Sequence, residues 1–197
     1  MLESTPSSLV VGIFVGGRGS RLGGVSKGNL TLASGETLIE RLVERARDAL
    51  PATPIVLVGA GDAYARLGLP ALVDEPAGIG PLGGLRTLLL YTQAEGRTHA
   101  LALACDLPFI EAPLIARLGV DLPESEFLAP REGELWETLV ARYSVRVLPV
   151  IDATVAAGER ALQRVVQRLG ERAVELVLGT RERGELRDWD VPEDAPQ

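Results

Sequence analysis

The residues best suited to bind an anion form a glycine-rich loop that directly follows an apolar stretch near the start of the chain. Five glycines within nine positions allow left-handed backbone conformations and a close approach of the backbone to a ligand. Successive free N–H groups in such a loop form an anion-binding concavity, and three cationic side chains add to it. The sequence therefore predicts a triphosphate site. The loop reads Gly16-Gly17-Arg18-Gly19-Ser20-Arg21-Leu22-Gly23-Gly24-Val25-Ser26-Lys27.

This loop departs from two well-known phosphate-binding patterns. In the dinucleotide pattern Gly-x-Gly-x-x-Gly, the third glycine would come one residue earlier than Gly23 does after Gly17 and Gly19. In the Walker pattern Gly-x-x-x-x-Gly-Lys-Ser/Thr, the lysine directly follows the second glycine. Gly19 and Gly24 have the spacing of the two glycines, but Val25 comes next and Lys27 follows two positions later. The alternative interpretation is a flexible surface loop with solvated arginines. The place of the loop after an apolar strand, with Arg and Lys together, favours phosphate binding.

A carboxylate, Asp106, follows a second apolar stretch, Leu101-Ala102-Leu103-Ala104-Cys105. A carboxylate at the end of a buried strand needs a cation or hydrogen-bond donors to offset its burial. Mg²⁺ is commonly bound by one or two carboxylates together with substrate phosphates and water. We therefore predict that Asp106 is a magnesium ligand, the alternative being that it caps the helix that follows.

Another acidic residue, Asp74, ends a short apolar segment and precedes a second glycine-rich turn at 78–84. We predict that Asp74 contacts the nucleoside and that the backbone of residues 80–84 lines the base pocket. The alternative is an ordinary helix N-terminus whose glycines allow tight packing.

The hydrophobic pattern predicts the scaffold that positions these residues. Short apolar strands alternate with helical segments, which is typical of βαβ units in a mainly parallel sheet. Ligands of open α/β sheets bind at the carboxyl ends of the strands, where the glycine loop, Asp74 and Asp106 all fall. Predicted strands cover 9–15, 55–58, 71–73, 100–105, 127–130, 138–143 and 174–178, and predicted helices cover 36–50, 62–67, 82–92, 112–118, 148–157 and 161–169.

Composition narrows the classes of function. The 197 residues carry a net charge of −7, which argues against binding to nucleic acid or to an anionic membrane. No apolar run approaches the roughly 20 residues that a membrane span needs. The single cysteine, Cys105, excludes an intrachain disulfide, agrees with a cytoplasmic location and is interpreted as a core residue. The single histidine, His99, lacks a second His or Cys nearby, so no zinc site is expected; it is interpreted as a surface residue before a strand.

The strand, the loop Gly16-Gly17-x-Gly19-Ser20-Arg21-Leu22-Gly23, Lys27 and Leu30 together resemble the signature of the molybdenum cofactor guanylyltransferases and their MobA-like relatives. That signature is usually written Leu-Ala-Gly-Gly-x-Ser-x-Arg-Met-Gly, then Lys. The chain differs from it at Phe14-Val15 and Leu22, and both differences keep apolar character. Two further blocks also resemble the family, namely Gly80-Pro81-Leu82-Gly83-Gly84-Leu85 and Cys105-Asp106-Leu107-Pro108-Phe109.

The resemblance extends to the C-terminal segment 188–194, with one difference. The family pattern there is Asn-x-Asn-Thr-Pro-Glu-Asp, and Asp188 and Asp190 stand where Asn is usual. In the family this segment lies near the active site and helps to hold metal or substrate. Two additional carboxylates could bind metal or repel an anionic acceptor, so the identity of the acceptor stays open.

The resemblance implies a Rossmann-like nucleotidyltransferase fold in one α/β domain, with a mainly parallel, mixed central sheet and helices on both faces. We expect residues 1–8 to be a disordered tail and 9–197 to be the domain, with 9–110 binding the NTP and 111–197 binding the acceptor. We expect a monomer or a weak homo-oligomer.

The resemblance implies transfer of GMP from GTP to molybdopterin, a phosphomonoester, with Mg²⁺ as cofactor. The alternatives are a CTP-using cofactor cytidylyltransferase, a sugar-phosphate nucleotidyltransferase, a non-catalytic nucleotide-binding regulatory module and a dinucleotide oxidoreductase. The catalytic residues implied are Arg21, Lys27 and Asp106, with Asp106 as the metal ligand. The nucleotide-binding residues are Val15, Gly16, Gly17, Gly19, Ser20, Arg21, Lys27, Asp74, Gly80, Pro81 and Gly83.

Overall fold

A computed structural model describes residues 8–15, 27–59, 62–74 and 78–187 of the chain. Within these ranges the strands are β1 (Leu9–Phe14), β2 (Ile55–Val58), β3 (Ala71–Leu72), β4 (His99–Ala104), β5 (Phe127–Ala129), β6 (Arg131–Glu132), β7 (Leu135–Trp136), β8 (Val140–Ser144) and β9 (Ala173–Glu175). The α-helices are α1 (Leu38–Ala49), α2 (Pro81–Ala94), α3 (Ala112–Val120), α4 (Leu148–Ala156), α5 (Leu162–Leu169) and α6 (Thr180–Glu185).

Seven strands form one sheet in the order β3-β2-β1-β4-β8-β5-β9. Strand β8 runs antiparallel to its neighbours β4 and β5, whereas the other pairs are parallel. Because β8 alone is reversed, the carboxyl ends of β1, β4, β5 and β9 lie on one edge of the sheet. The prediction of a mainly parallel, mixed sheet is confirmed.

Helices cover both faces of this sheet because β1 is apolar on both sides. Val11 and Ile13 belong to a core shared with α1 and α3. Val10 and Phe14 belong to a second core shared with α2, α4 and α5. A central parallel strand buried on both faces is expected to be apolar throughout, and all six residues of β1 are buried. Helices on both faces were predicted, and this prediction is confirmed.

The structure differs from the sequence prediction mainly in its second half. The hairpin β6–β7, with Gly133 at φ 57° in its turn, and helix α6 were not predicted. The strand predicted over 174–178 is shorter and covers Ala173–Glu175, although the amide of Leu176 still donates to the carbonyl of Ala129 in β5. The helix predicted from Glu36 begins at Leu38, since Thr37 and Glu40 form a capping box there. His99, predicted to precede a strand at the surface, is the half-buried first residue of β4.

A buried arginine in strand β8 binds the end of helix α3. Arg142 lies in β8 and is 2% exposed. Its guanidinium donates to the backbone oxygens of Leu118 at 3.1 Å and Gly119 at 3.0 Å, at the end of α3. It also donates to the oxygens of Asp121 and Leu122 in the turn that follows. One side chain therefore satisfies carbonyls that the helix end leaves without partners.

The structure also bears on membrane insertion. Over the part of the chain that the structure describes, no helix combines the length and the apolar character that a membrane crossing requires.

Candidate active site

The carboxyl ends of β1 and β4 bring two of the predicted catalytic residues together. Lys27 Nζ lies 2.8 Å from Asp106 Oδ2. Both side chains are mostly buried, at 30% and 20% exposed, so solvent screens this ion pair only in part. Lys27 is also the only lysine in the chain, the other cationic side chains being arginines.

The backbone that follows Lys27 is packed against its neighbours. Residues Lys27–Asn29 form a short 3-10 helix. A Cβ atom on Gly28 would lie 3.0 Å from the hydroxyl oxygen of Tyr64, so only glycine fits without displacement. Asn29 accepts a hydrogen bond from Arg66 at 2.9 Å. These contacts hold the last part of the glycine-loop segment against the 3-10 helix Asp62–Leu67.

The position of Asp106 is set by the residue before it. The backbone amide of Cys105 donates to the carbonyl of Phe14 at 3.2 Å, which ties the end of β4 to the end of β1. Burial, with the charge of Asp106 in addition, raises the pKa of the Cys105 thiol to about 12. Cys105 is therefore a neutral packing residue at physiological pH, in agreement with the interpretation from its sequence position.

Asp74 lies beside the first turn of α2, two residues beyond the end of β3. A Cβ atom built on Gly84 would lie 3.2 Å from Asp74 Oδ1, 3.0 Å from Phe14 and 2.8 Å from Val58. The absence of a side chain at Gly84 is therefore what lets α2 approach the ends of β1 and β2 beside this carboxylate. Partial burial raises the pKa of Asp74 above its ordinary value.

The remaining residues of the second glycine block have different environments. Gly80 is exposed and has φ 70°, a conformation that favours glycine, and it precedes the exposed Pro81 at the first position of α2. Gly83 is buried within the first turn of α2. Val15 follows β1, its side chain is in the core, and its amide donates to the carbonyl of Val58 at 3.0 Å. Their roles in nucleotide binding stay predictions.

Several predicted residues lie outside the described ranges. This applies to Asp188 and Asp190 and to the loop residues Gly16, Gly17, Gly19, Ser20 and Arg21.

The sequence did not identify a second group of residues beside Asp106. The guanidinium of Arg187 lies 4.7 Å from the ring centroid of Phe109, in the loop that follows Asp106. Glu185 accepts a hydrogen bond from the amide of Glu111 at 3.1 Å, and its pKa is raised by burial. Helix α6 is therefore fixed against this loop. The available signal for α6 was Glu182 at its third position, whose carboxylate accepts a hydrogen bond from the amide of Gly179 at 2.8 Å.

A family comparison agrees with this arrangement. Residues 11–189 match the model of the MobA-like NTP transferase domain. The chain belongs to this family. Family membership makes it a nucleotidyltransferase, as the resemblance implied, and the match spans most of both predicted halves, the NTP-binding half and the acceptor-binding half.

Curated relatives of the family include two that are similar along most of their length. A molybdenum cofactor guanylyltransferase of Pseudomonas fluorescens is 34% identical, and the alignment covers 86% of this chain and 84% of the relative. A probable molybdenum cofactor guanylyltransferase of Opitutus terrae is 31% identical over 98% of this chain and 96% of the relative.

Solved structures share the fold. The molybdopterin-guanine dinucleotide biosynthesis protein A of Archaeoglobus fulgidus superposes with a TM-score of 0.73, at 21% identity and 94% coverage of both chains. The 2-C-methyl-D-erythritol 4-phosphate cytidylyltransferase of Thermus thermophilus gives 0.66, at 17% identity, with 93% of this chain and 94% of that chain covered. The predicted fold class is confirmed by these likenesses.

The described side chains fit a magnesium ion that arrives with a nucleotide. Asp106 offers a partly exposed carboxylate that already attracts a cation, Lys27. Among the described residues, no group of three or more His, Cys, Asp or Glu could hold a metal ion. A single carboxylate is sufficient for Mg²⁺ when phosphates and water supply the other ligands.

Proposed function

We propose that the protein is a magnesium-dependent guanylyltransferase that forms a guanine dinucleotide cofactor from GTP and molybdopterin. An oxygen of the acceptor phosphomonoester attacks the α-phosphorus of GTP. The new P–O bond joins GMP to the acceptor, and the bond to the β-phosphate oxygen breaks, which releases pyrophosphate. We place this reaction in the cytoplasm, in keeping with the single, buried cysteine.

The observation that carries the proposal is the contact between Lys27 and Asp106. Lys27 is the last residue of the glycine-rich loop that follows β1 in the sequence, and Asp106 follows the adjacent strand β4. A cation and a carboxylate that meet at the carboxyl edge of a parallel sheet can bind a triphosphate and its metal ion together. Both side chains lie outside the apolar cores and remain partly accessible.

The reaction requires that the two substrates be positioned and that the charge on their phosphates be neutralised. It needs no covalent enzyme intermediate. Lys27 would leave the Asp106 carboxylate and bind the triphosphate, where its charge offsets the charge that develops on the leaving pyrophosphate. Arg21, outside the described residues, would share this role. Asp106 would hold Mg²⁺, which polarises a phosphate oxygen as a Lewis acid.

The proposed contact with the guanine base is made by Asp74 and the start of α2. Asp74 lies beside Gly84 at the ends of β1 and β2, and exposed Gly80 and Pro81 begin the helix that follows. A carboxylate accepts two N–H donors, and guanine presents an amino group and a ring N–H on one edge. This match supports GTP as the donor.

The experiment is a pyrophosphate-release assay with GTP, CTP, ATP and UTP, in which molybdopterin and Mg²⁺ are each included or omitted. Release that requires GTP, Mg²⁺ and the acceptor together supports the proposal. Preference for CTP would identify a cytidylyltransferase. Nucleotide binding in a thermal-shift assay without turnover on molybdopterin or on a panel of sugar phosphates would support a regulatory module instead.

A further inference from the structure

The loop that carries Asp106 is held in place by an arginine of helix α1. Residues 105–111 connect β4 to α3 and form neither helix nor strand. Pro108 is buried in this loop, and its carbonyl oxygen accepts a hydrogen bond from Nη1 of Arg41 at 3.3 Å. Arg41 therefore contacts the backbone of the loop only two positions beyond the predicted metal ligand.

The same guanidinium also binds a carboxylate in the turn before α1. Nε of Arg41 lies 2.9 Å from Oε1 of Glu36, and the two side chains are 24% and 30% exposed. The hydroxyl group of Ser34 donates to the same oxygen at 3.2 Å. The carbonyl of Glu36 accepts from the amide of Leu32 at 2.8 Å, so the backbone of this turn is fixed as well.

This turn belongs to the segment that begins with Lys27. The amide of Leu30 donates to the carbonyl of Lys27 at 3.0 Å, and the carbonyl of Leu30 accepts from the amide of Leu38 at 3.0 Å. The side chains of Leu30, Leu32 and Leu38 pack together in a small apolar cluster. Residues 27–37 therefore form one compact unit at the start of α1, with Lys27 at one end and Glu36 near the other.

The contacts of Arg41 with Glu36 and with Pro108 connect the two segments that carry the predicted catalytic pair. We call these two contacts the Arg41 link. The link joins the segment of Lys27 to the loop of Asp106, whose side-chain atoms Nζ and Oδ2 lie 2.8 Å apart. A guanidinium can donate to a carboxylate and to a carbonyl at the same time because its N–H groups form a rigid fork.

The fold itself does not depend on the Arg41 link. Leu107 and Ile110 place their side chains in the core shared with α1 and α3, which attaches the loop to the molecule. Ion pairs between partly exposed groups contribute little to stability. The contribution of Arg41 is therefore to fix the loop relative to the Lys27 segment rather than to keep the chain folded.

We propose that Arg41 is a positioning residue for nucleotidyl transfer, which acts by holding Asp106 and Lys27 at a fixed separation. This inference rests on the proposed function. Arg41 acts through the two backbone segments and takes no part in the reaction itself. Catalytic groups must be placed accurately, since a displacement of about 1 Å caused by a distant substitution can lower the rate by up to roughly 100-fold.

The first test needs no turnover, because Lys27 is the only lysine in the chain. The full chain without nucleotide is treated with the N-hydroxysuccinimide ester of acetic acid, and mass spectrometry follows acetylation of Lys27 relative to the N-terminal amine. Asp106→Asn gives the rate for a Lys27 that has lost its ion-pair partner. We expect Arg41→Gln to increase the rate about threefold, because the loosened loop protects the amine less.

Two further variants make this test specific. Arg47→Gln is the matched control, because Arg47 is an exposed arginine on the same helix and the change in net charge is identical. Its Lys27 should react at the unaltered rate. Glu36→Gln keeps Arg41 but removes the carboxylate that orients it, so it should also speed acetylation, and it decides the matter if circular dichroism shows that Arg41→Gln is unfolded.

Two outcomes of the acetylation test would overturn the inference. One is an unaltered rate in both Arg41→Gln and Glu36→Gln, since the link would then not hold the ion pair. The other is an equal increase in Arg47→Gln, since the effect would then come from the net charge of α1.

A turnover assay separates this inference from the proposed function. With GTP and molybdopterin, Arg41→Gln should lower kcat about tenfold and raise the Mg²⁺ concentration needed for half-maximal rate, with the acceptor KM unchanged. Arg47→Gln should keep the unaltered kcat. Faster acetylation of Arg41→Gln with an unaltered kcat would overturn the positioning role while supporting guanylyl transfer. Faster acetylation in a protein that releases no pyrophosphate would support the Arg41 link and contradict the proposed function.

Discussion

Lys27 and Asp106 are 79 positions apart in the chain, yet their side-chain atoms Nζ and Oδ2 lie 2.8 Å apart. Lys27 is thus the counter-ion of Asp106. A triphosphate carries more negative charge than one carboxylate, so it can draw the ammonium group away and leave Asp106 for a metal ion. In the proposed mechanism, this exchange would link nucleotide binding to metal binding.

The first prediction concerns Asp106. The change Asp106→Asn keeps the size of the side chain but removes the charge that would hold Mg²⁺. We expect kcat to fall by about 100-fold or more. The rate of pyrophosphate release at saturating substrate concentrations measures kcat. Asp152→Asn is the control, since Asp152 pairs with Arg86 on the surface. A normal kcat for Asp106→Asn would remove this residue from the mechanism.

The second prediction concerns Lys27. We expect Lys27→Ala to weaken GTP binding about tenfold, as measured by titration calorimetry, with little change in folding. Loss of the counter-ion should at the same time increase the affinity of Asp106 for Mn²⁺ in the absence of GTP, as measured by electron paramagnetic resonance. Unchanged affinities for both ligands would contradict the exchange.

A covalent probe checks the same contact independently. A guanosine polyphosphate esterified with pyridoxal carries an aldehyde at its phosphate end, which forms a Schiff base with a nearby amine. Because Lys27 is the only lysine, side-chain labelling after reduction should map to Lys27 alone by mass spectrometry. Excess GTP should suppress the label, and labelling at the N-terminal amine serves as the internal measure of non-specific reaction.

The third prediction concerns Arg142. The change Arg142→Met introduces an unbranched apolar side chain of similar length but leaves the carbonyls at the end of α3 without their donor. We expect the free energy of unfolding to fall by about 2–4 kcal/mol. Urea-induced unfolding measures this free energy. Because Arg142 lies far from the carboxyl edge of β4, paired with Leu101, GTP affinity of the folded protein should not change.

The fourth prediction concerns the packing of α2 beside Asp74. In Gly84→Ala the new methyl group would contact Val58, Phe14 and Asp74. We expect a loss of about 1–3 kcal/mol in the free energy of unfolding and weaker GTP binding. Gly184→Ala is the matched control, because nothing outside its own stretch of helix lies within 4 Å of the Cβ it would add. That variant should be unchanged or more stable by up to about 1 kcal/mol.

The fifth prediction concerns pH. Hydrogen bonds from Arg117 and from the amide of Gly179 hold the pKa of Glu182 below its ordinary value of 4.5. A depressed carboxyl pKa stabilises the fold above the unfolded value, and this stability is lost as the pH falls below it. We expect Glu182→Gln to unfold at a lower temperature than the unaltered protein at pH 7, with a smaller difference at about pH 4. An equal difference at both pH values would contradict this.

The sequence predicted the strands of the first half of the molecule better than the elements of the second half. Asp106 and the strands around it could be found because a buried parallel strand has a local signature, a continuous apolar run that ends at a polar residue. The hairpin β6–β7 could not be found in the same way. Its strands have two residues each, too short for any periodicity, and the Trp136–Gln163 contact holds them in place.

By itself the sequence determined the fold class and the family, because apolar periodicity and glycine spacing are properties of neighbouring residues. Only the tertiary structure decided that Lys27 contacts Asp106 and that Arg187 covers the ring of Phe109. It also decided that Arg142 is buried at the end of α3. These relationships join segments far apart in the chain, and their geometry depends on strand order and helix packing, which no local pattern encodes.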